Sequence, residues 1–153
     1  MDALELKIPP PLVGLSFGAA AWGLAQAVPP LALDPALKAT LAILITLAGA
    51  AFDVAGLVSF RRAKTTINPL KPQRTSSLVS SGIYKYTRNP MYVGMAFFLI
   101  AWSVWLAQPL ALLAPVAFVL YISRFQIAPE ERILSVIFGE EFAAYKARVR
   151  RWL

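Results

Sequence analysis

Apolar residues in this chain come in long runs, not in the alternation of a strand or the narrow stripe of a soluble helix. Four runs stand out, at about 12–28, 39–60, 90–107 and 109–123. The first lies between Pro9-Pro10-Pro11 and Pro29-Pro30, the second closes on Arg61-Arg62, and the fourth closes on Arg124. Each approaches the roughly 20 residues that cross a bilayer as a helix, the last two being slightly short. Gln108-Pro109 separates those two as the turn of a tight antiparallel hairpin, and Pro115 is expected to kink the fourth. After Ala128 the pattern changes. Ile133, Leu134, Ile137, Phe138, Phe142, Tyr145 and Val149 recur at near-helical spacing, with Glu140, Glu141, Lys146 and Arg148 opposite. The expected architecture is a single all-α domain, a polytopic membrane protein of four transmembrane helices. A C-terminal amphipathic helix follows, lying on the bilayer or docked against residues 61–89.

Composition agrees: 58% of the 153 residues are hydrophobic and only 15% charged. A net charge of +7 would suggest nucleic acid in a soluble protein. Here the basic residues flank apolar runs, so membrane orientation accounts for them and no nucleic-acid partner is expected. Arg61, Arg62, Lys64, Lys71, Arg74, Lys85 and Arg88 fall between runs two and three. Arg132, Lys146, Arg148, Arg150 and Arg151 fall in the tail, whereas residues 29–38 carry only Lys38 against Asp34. The positive-inside rule then places 61–89 and 124–153 in the cytoplasm, with both termini on that side. The start, Met-Asp-Ala-Leu-Glu, lacks a positive region and a cleavage site, so no cleavable signal peptide is expected. The chain has no cysteine and no histidine, and its eight acids show no metal-ligand spacing. Thiolate chemistry is excluded and no metal is expected. A G-x-G-x-x-G turn and a Walker A pattern are both missing, so a nucleotide-like cofactor would have to bind between helices and loops.

The most informative stretch is 82–94, Gly-Ile-Tyr-Lys-Tyr-Thr-Arg-Asn-Pro-Met-Tyr-Val-Gly, where a basic aromatic segment enters the third apolar run. Asn89 suits a helix N-cap and Pro90 the first helical position. A positive helix end among Lys85 and Arg88 favours a carboxylate or phosphate. Tyr84, Tyr86 and Tyr92 offer faces for a purine or a sulfonium, although an interfacial anchor needs the same residues. Glu130-Glu131 suit ribose hydroxyls or an ammonium, or simply the positive end of their helix. Arg124, at the end of the fourth run, is placed either to orient an anionic acceptor or to mark the membrane boundary. Asp53 lies inside the second run, where an ionisable group is costly and is paired or functional. Gly14-x-x-x-Gly18 reads as a close helix contact. Trp102 and Trp105 read as an interfacial belt.

Two segments carry a resemblance. One is Thr66, Pro69 and Leu78-Val79-x-x-Gly82-x-Tyr84-x-x-x-Arg88-Asn89-Pro90-Met91-Tyr92-x-Gly94. The other is Glu130-Glu131-x-x-Leu134-x-x-x-Phe138-Gly139-x-x-Phe142-x-x-Tyr145. In this order, separated by a helical hairpin, they resemble the isoprenylcysteine carboxyl methyltransferase and phospholipid methyltransferase superfamily of integral-membrane enzymes. The resemblance covers about 61–153 and implies S-adenosylmethionine as methyl donor. It further implies a cofactor pocket, open to the cytoplasm, lined or shaped by Leu78, Val79, Gly82, Tyr84, Arg88, Asn89, Pro90, Tyr92, Gly94, Glu130 and Glu131. The eukaryotic prenyl-protein enzymes usually carry histidine where this chain has Asn89. Asn89 looks more like short bacterial members, which implies an inner-membrane location and argues against a prenylated protein as substrate.

Methyl transfer from a sulfonium is an in-line displacement, so alignment and water exclusion dominate. A carboxylate acceptor needs no general base, and Arg124 or Arg88 would hold it. An amine must be neutral to react, which would enlist Glu130 or Asp53 as proton acceptor. The expected function is methyl transfer to a lipophilic acceptor such as an isoprenoid-type carboxylate, entering sideways from the bilayer. Phospholipid amine methylation is the alternative within the class. A nicotinamide-dependent membrane reductase and a non-catalytic membrane interaction protein are the alternatives outside it.

Overall fold

A computed structural model describes residues 4–63 and 77–153. Regular structure within them is all helical: α1 (Pro10–Ala25), α2 (Pro35–Ala63), α3 (Pro90–Trp105), α4 (Leu113–Ile122) and α5 (Ala128–Arg148). Short 3-10 turns occupy Gly82–Lys85 and Pro109–Leu112, and a π turn occupies Ser123–Ile127. Thr66, Pro69, Lys64, Lys71 and Arg74 lie outside the described residues.

Prolines sit in the first turns of α1, α3 and α5, where a missing N–H leaves no hydrogen bond unmade. Asp34 caps α2, its Oδ1 accepting the Leu37 N–H at 2.8 Å. Arg61 and Arg62 close α2 at the negative end of its dipole. Its 29 residues reach about 43 Å, more than the roughly 30 Å hydrocarbon core. Leu37, Leu41, Ile43, Leu44, Leu47 and Val54 are all exposed along it, an apolar surface that suits lipid and not water. Two helical runs, Pro35–Ala63 and Pro109–Arg148, are long and apolar enough to cross a membrane. α1 and α3 are apolar but only 16 residues each.

The most extensive packing is between α2 and α3, and glycine makes it possible. A Cβ on Gly94 would lie 2.1 Å from Asp53 Oδ1 and 2.8 Å from the Gly49 carbonyl. A Cβ on Gly49 would lie 2.9 Å from the Gly94 carbonyl. By contrast, Gly14 and Gly18 on α1 face Phe118 and Leu99 at ordinary distances, 3.9 and 3.7 Å. The close crossing expected at Gly14-x-x-x-Gly18 therefore lies elsewhere: flat backbones meet at Gly49 and Gly94, while α1 packs against bulky side chains. Val13, Tyr92, Ala96, Leu99, Phe118, Ile122 and Ile127 join α1, α3, α4 and the π turn in one core.

At one end of the bundle the connections knit together. Gln108 Nε2 donates to the Val28 and Pro29 carbonyls, and the Leu31 N–H donates to the Ala107 carbonyl. Trp102 Nε1 donates to the Gly18 carbonyl at 3.0 Å, so this ring pins α3 to α1 as well as facing outward. Lys38 sits over the Trp105 ring. Pro115 does not kink a helix as the pattern suggested, because α4 begins only at Leu113 and the ring falls in its first turn. The irregularity lies instead in the π turn, which runs directly into α5 without a break at Arg124. Nor is α5 one straight amphipathic helix. Gly139, at φ 49° and ψ −121°, breaks it, leaving Ile137 and Val136 exposed while Phe142 and Tyr145 are buried.

Gly94→Ala is expected to destabilise the fold by about 1–3 kcal/mol or more, since rigid backbone and Asp53 stand where the methyl would go. Gly23→Ala, within α1 and with nothing within 4 Å, is the control that keeps or slightly raises stability. Thermal unfolding of both variants in detergent checks the contrast.

Candidate active site

Arg88 and Glu131 are 43 positions apart, yet Arg88 Nη2 meets Glu131 Oε1 at 2.6 Å. Arg151, from the C-terminal tail, takes the other oxygen: its Nη2 is 2.6 Å from Glu131 Oε2, and its Nε 3.1 Å from Oε1. Two guanidiniums thus share one carboxylate. Burial alone would raise the Glu131 pKa, but the hydrogen bonds from Arg151 and Arg88 outweigh it and hold it below the ordinary glutamate value.

The tail also satisfies the loop before α3. Arg88 donates from Nη1 to the Val149 carbonyl and from its backbone N–H to the Arg150 carbonyl. Thr87 Oγ1 and Asn89 Nδ2 both donate to the Arg151 carbonyl, at 3.2 and 2.9 Å. Asn89 occupies the N-cap position of α3 without a side-chain cap, its Nδ2 turned instead to the Arg151 carbonyl of the tail. Trp152 Nε1 donates to Ser123 Oγ, closing the tail over the π turn. Arg88 Nε is buried and has no partner among the described residues.

Glu130 faces the other way. Its Oε1 accepts from Tyr92 Oη and from Gln126 Nε2, both at 2.7 Å. Gln126 and Glu130 are four positions apart where the π turn passes into α5, so their side chains lie on one face and meet. Burial, only partly countered by these two donors and assisted by the Glu131 charge, pushes the Glu130 pKa up to about 7. Adjacent carboxylates thus titrate apart, one firmly ionised and one poised near neutrality.

The structure brings Arg88, Asn89, Pro90, Tyr92, Glu130 and Glu131 together at the start of α3 and α5. Leu78, Val79 and Tyr84 belong to a neighbouring apolar cluster with Phe142, Tyr145 and Val149. Within that cluster Tyr84 stacks edge-on against Phe60, and its carbonyl accepts from Tyr145 Oη at 2.8 Å. Gly82 has φ +62°, and a Cβ there would meet Ser59 Oγ at 2.7 Å. Gly94 serves the α2–α3 crossing. These residues shape the platform on which the polar group rests. The three tyrosines do not converge: Tyr84 is packed, Tyr92 is bonded to Glu130, and Tyr86 is 72% exposed. Arg124 pairs with Glu5 of the N-terminal segment. Asp53 Oδ1 lies buried against Gly94 with no partner among the described residues. No group of three or more metal-ligating side chains occurs among the described residues. Sequence reasoning missed Arg151 and Gln126 as site residues. Arg151 is 20 positions from Glu131, and no periodicity joins them. Gln126 is linked to Glu130 at a helical spacing and was legible in principle.

One turn further along α3, an apolar groove of about 720 Å³ opens between α1 and α3. Gly14, Gly18 and Trp22 of α1 and Leu99 and Trp102 of α3 line it, with Asp53 of α2 as the ionisable group among its lining residues. Its size is that of a small-molecule site.

Known proteins resolve the class. The profile of the phospholipid methyltransferase family matches residues 37–141, and the chain belongs to this family. Its relatives also include protein-S-isoprenylcysteine O-methyltransferases, placing it in the superfamily that unites the two. The human enzyme of that name is 40% identical over 78 residues, 49% of this chain and 26% of the human one. The Arabidopsis thaliana form B is 27% identical over 96 residues, 61% of this chain and 47% of the plant protein. An uncharacterized Haemophilus influenzae protein is 48% identical over 63 residues, 41% of this chain and all of that one. The chain thus spans a quarter to a half of the isoprenylcysteine enzymes it matches. No solved structure matches the chain. The long apolar helices and these relatives indicate a membrane protein of a methyltransferase family.

Glu131→Gln is expected to loosen the tail and cost about 2–3 kcal/mol, less than a fully buried pair because Arg151 stays partly exposed. Because the folded pKa of Glu131 is depressed, its contribution is present above the ordinary glutamate pKa and lost as pH falls through the lowered value. Limited proteolysis after Arg148, followed against pH, should show an acid-dependent release in the parent chain that Glu131→Gln lacks.

Proposed function

We propose that the chain is an S-adenosylmethionine-dependent methyltransferase that crosses the membrane four times and methylates a lipophilic acceptor. In this reading both termini and the Arg88–Glu130–Glu131 group face the cytoplasm, consistent with the basic residues that flank them. The carrying observation is the polar cluster itself. Arg88 and Arg151 bring two positive charges to one carboxylate, and Arg88 keeps a buried unpartnered N–H. That surplus of charge and donors fits the donor's carboxylate, and Glu130 fits its ammonium or ribose hydroxyls. The bound donor supplies an electrophilic methyl group on a sulfonium. Arg88 would hold the carboxylate, while Asn89 and Thr87 keep the loop fixed through the Arg151 carbonyl. Tyr92 and Gln126 orient Glu130, and Trp152 with the tail excludes water. The α1–α3 groove would take the acceptor's apolar part, leaving its reacting end near Tyr92 on the same helix.

Carboxylate and amine acceptors differ in what they ask of Glu130. An isoprenoid-type carboxylate arrives as a ready nucleophile and needs only alignment. A phospholipid amine must lose a proton first, and a carboxyl poised near neutrality suits that task. Glu130 is the observation that favours this second reading.

Two outcomes test the proposal. Titration calorimetry in detergent should show binding of S-adenosylmethionine or its demethylated product, weakened at least tenfold by Arg88→Ala. Binding of neither by the parent chain would remove the methyltransferase reading, and binding of NADPH instead would favour a reductase. With an amine acceptor, kcat/KM should rise through about pH 7 as Glu130 loses its proton, and Glu130→Gln should abolish that step. A profile that stays flat through this range in the parent chain points to a carboxylate acceptor.

A further inference from the structure

Among the described residues that line the apolar groove, Asp53 alone is ionisable. It belongs to α2, about 12 Å along the helix from Arg61, inside a run apolar enough to cross a membrane. Its Oδ1 is buried on Gly94 with no hydrogen-bond partner, and no described arginine or lysine pairs with it. A carboxyl left so at that depth is costly, and where one persists it marks a partner or a function. Packing does not account for it. Thr46 and Ser59, on the same helix, donate their hydroxyls to the Ala42 and Ala55 carbonyls one turn back. A carboxylate has no proton to donate in this way, so its oxygens require a hydrogen-bond donor from outside the bundle.

The groove decides what that hydrogen-bond donor belongs to. α1 and α2 both border α3 but pack little on each other, so the space beside α3 stays open from α1 across to Asp53. Leu15 and Trp22 on its α1 side are exposed, which opens it sideways. Tyr92, Met95, Leu99 and Trp102 follow one another along one face of α3, so the groove points from Trp102 towards the Tyr92–Glu130 pair. Asp53 stands at the level of Gly94, two residues past Tyr92 and about 3 Å along the axis. Helix side chains lean toward the N-terminus, which carries Tyr92 Oη and Glu130 further to the polar side. Asp53 thus falls between the apolar length of the groove and the polar cluster. We propose that Asp53 is a specificity-determining residue whose carboxyl accepts a hydrogen bond from an O–H or N–H group at the neck of the lipophilic acceptor, between its apolar body and its reacting end. The groove supplies room and apolar contact. Asp53 turns away a molecule that presents only another oxygen acceptor there, because both groups would leave water with no bond in return. That the bound lipid is the methyl acceptor rests on the proposed methyltransferase activity, whereas its contact with Asp53 does not.

Binding is read without methyl donor or turnover, so a failure here leaves that activity intact. The full chain in detergent is offered hexadecanol, hexadecylamine or hexadecyl methyl ether, one at a time, and native mass spectrometry measures the fraction of chains that retain each. The alcohol and the amine, which bring an O–H or N–H, should be retained roughly tenfold more than the ether. A preference confined to one of the two supports the contact and names the group that Asp53 reads. Asp53→Ala should lower the favoured ligand to the level of the ether and leave the ether unchanged, with circular dichroism establishing that helix content holds. Asp53→Asn keeps a carbonyl oxygen and should recover part of the preference, which a merely structural role for the carboxyl would not produce. Equal retention of all three ligands by the parent chain, a result that needs no variant, would overturn the proposal. So would an Asp53→Ala chain that keeps the preference.

Discussion

Glu131 sits between Arg88, which precedes α3, and Arg151, which lies in the tail after α5, and most of the polar end of the molecule depends on that shared carboxylate. Remove it and two guanidiniums face each other. The carbonyls of Val149, Arg150 and Arg151 would then lose the side chains and N–H groups of Thr87, Arg88 and Asn89 that they now accept from. The energy of one such pair is modest when exposed and considerable when enclosed. Here the pair is enclosed on the Arg88 side, and the tail covers it. The clamp therefore does two things at once. It closes the bundle's polar end, and it holds Glu130, the neighbouring residue, against Tyr92 in surroundings that keep its proton near neutral pH.

Below that polar end, the geometry follows from a different constraint. α2 and α3 approach so closely that only glycine fits at positions 49 and 94, and the Asp53 carboxylate comes to rest on Gly94. α1 stays further off because Phe118 and Leu99 stand between it and its neighbours. The unequal spacing leaves an apolar groove on the α1 side, within a turn of Tyr92. A tight crossing on one face of α3 and a loose one on the other place an apolar cavity beside a polar cluster. An enzyme that joins a water-soluble donor to a lipid-soluble acceptor needs both.

Much of this was legible in the residues. Long apolar runs bounded by prolines and arginines foretold the helices, and α1, α2 and α3 start within a few residues of the expected positions. The pairing of the Arg88-Asn89-Pro90 junction with Glu130-Glu131 also emerges as a direct contact. What could not be read depends on distance along the chain or on backbone geometry. Arg151 counted only as positive charge, because nothing in its spacing ties it to Glu131. Asn89 has the chemistry of an N-cap, but its side chain makes no cap and its Nδ2 donates to the tail. Gly14 and Gly18 carry a motif that in isolation means close packing, yet the same pattern also borders a groove. Gly49, in no motif, and Gly94, quoted only for the cofactor pocket, make the real crossing. The π turn leaves no sequence signature, so the fourth apolar run and the amphipathic tail looked like separate helices.

The central claim is that the C-terminal tail and the start of α3 form one donor site. Measuring the affinity of the demethylated donor product for a chain ending at Arg148, against the full chain, tests it most directly, with circular dichroism to establish that helix content is retained. Removing residues 149–153 takes away every tail carbonyl and the Arg151 guanidinium that brace Thr87, Arg88, Asn89 and Glu131. The account predicts that the shortened chain stays helical and loses at least tenfold in affinity. Undiminished binding by a helical chain that lacks the tail would contradict it.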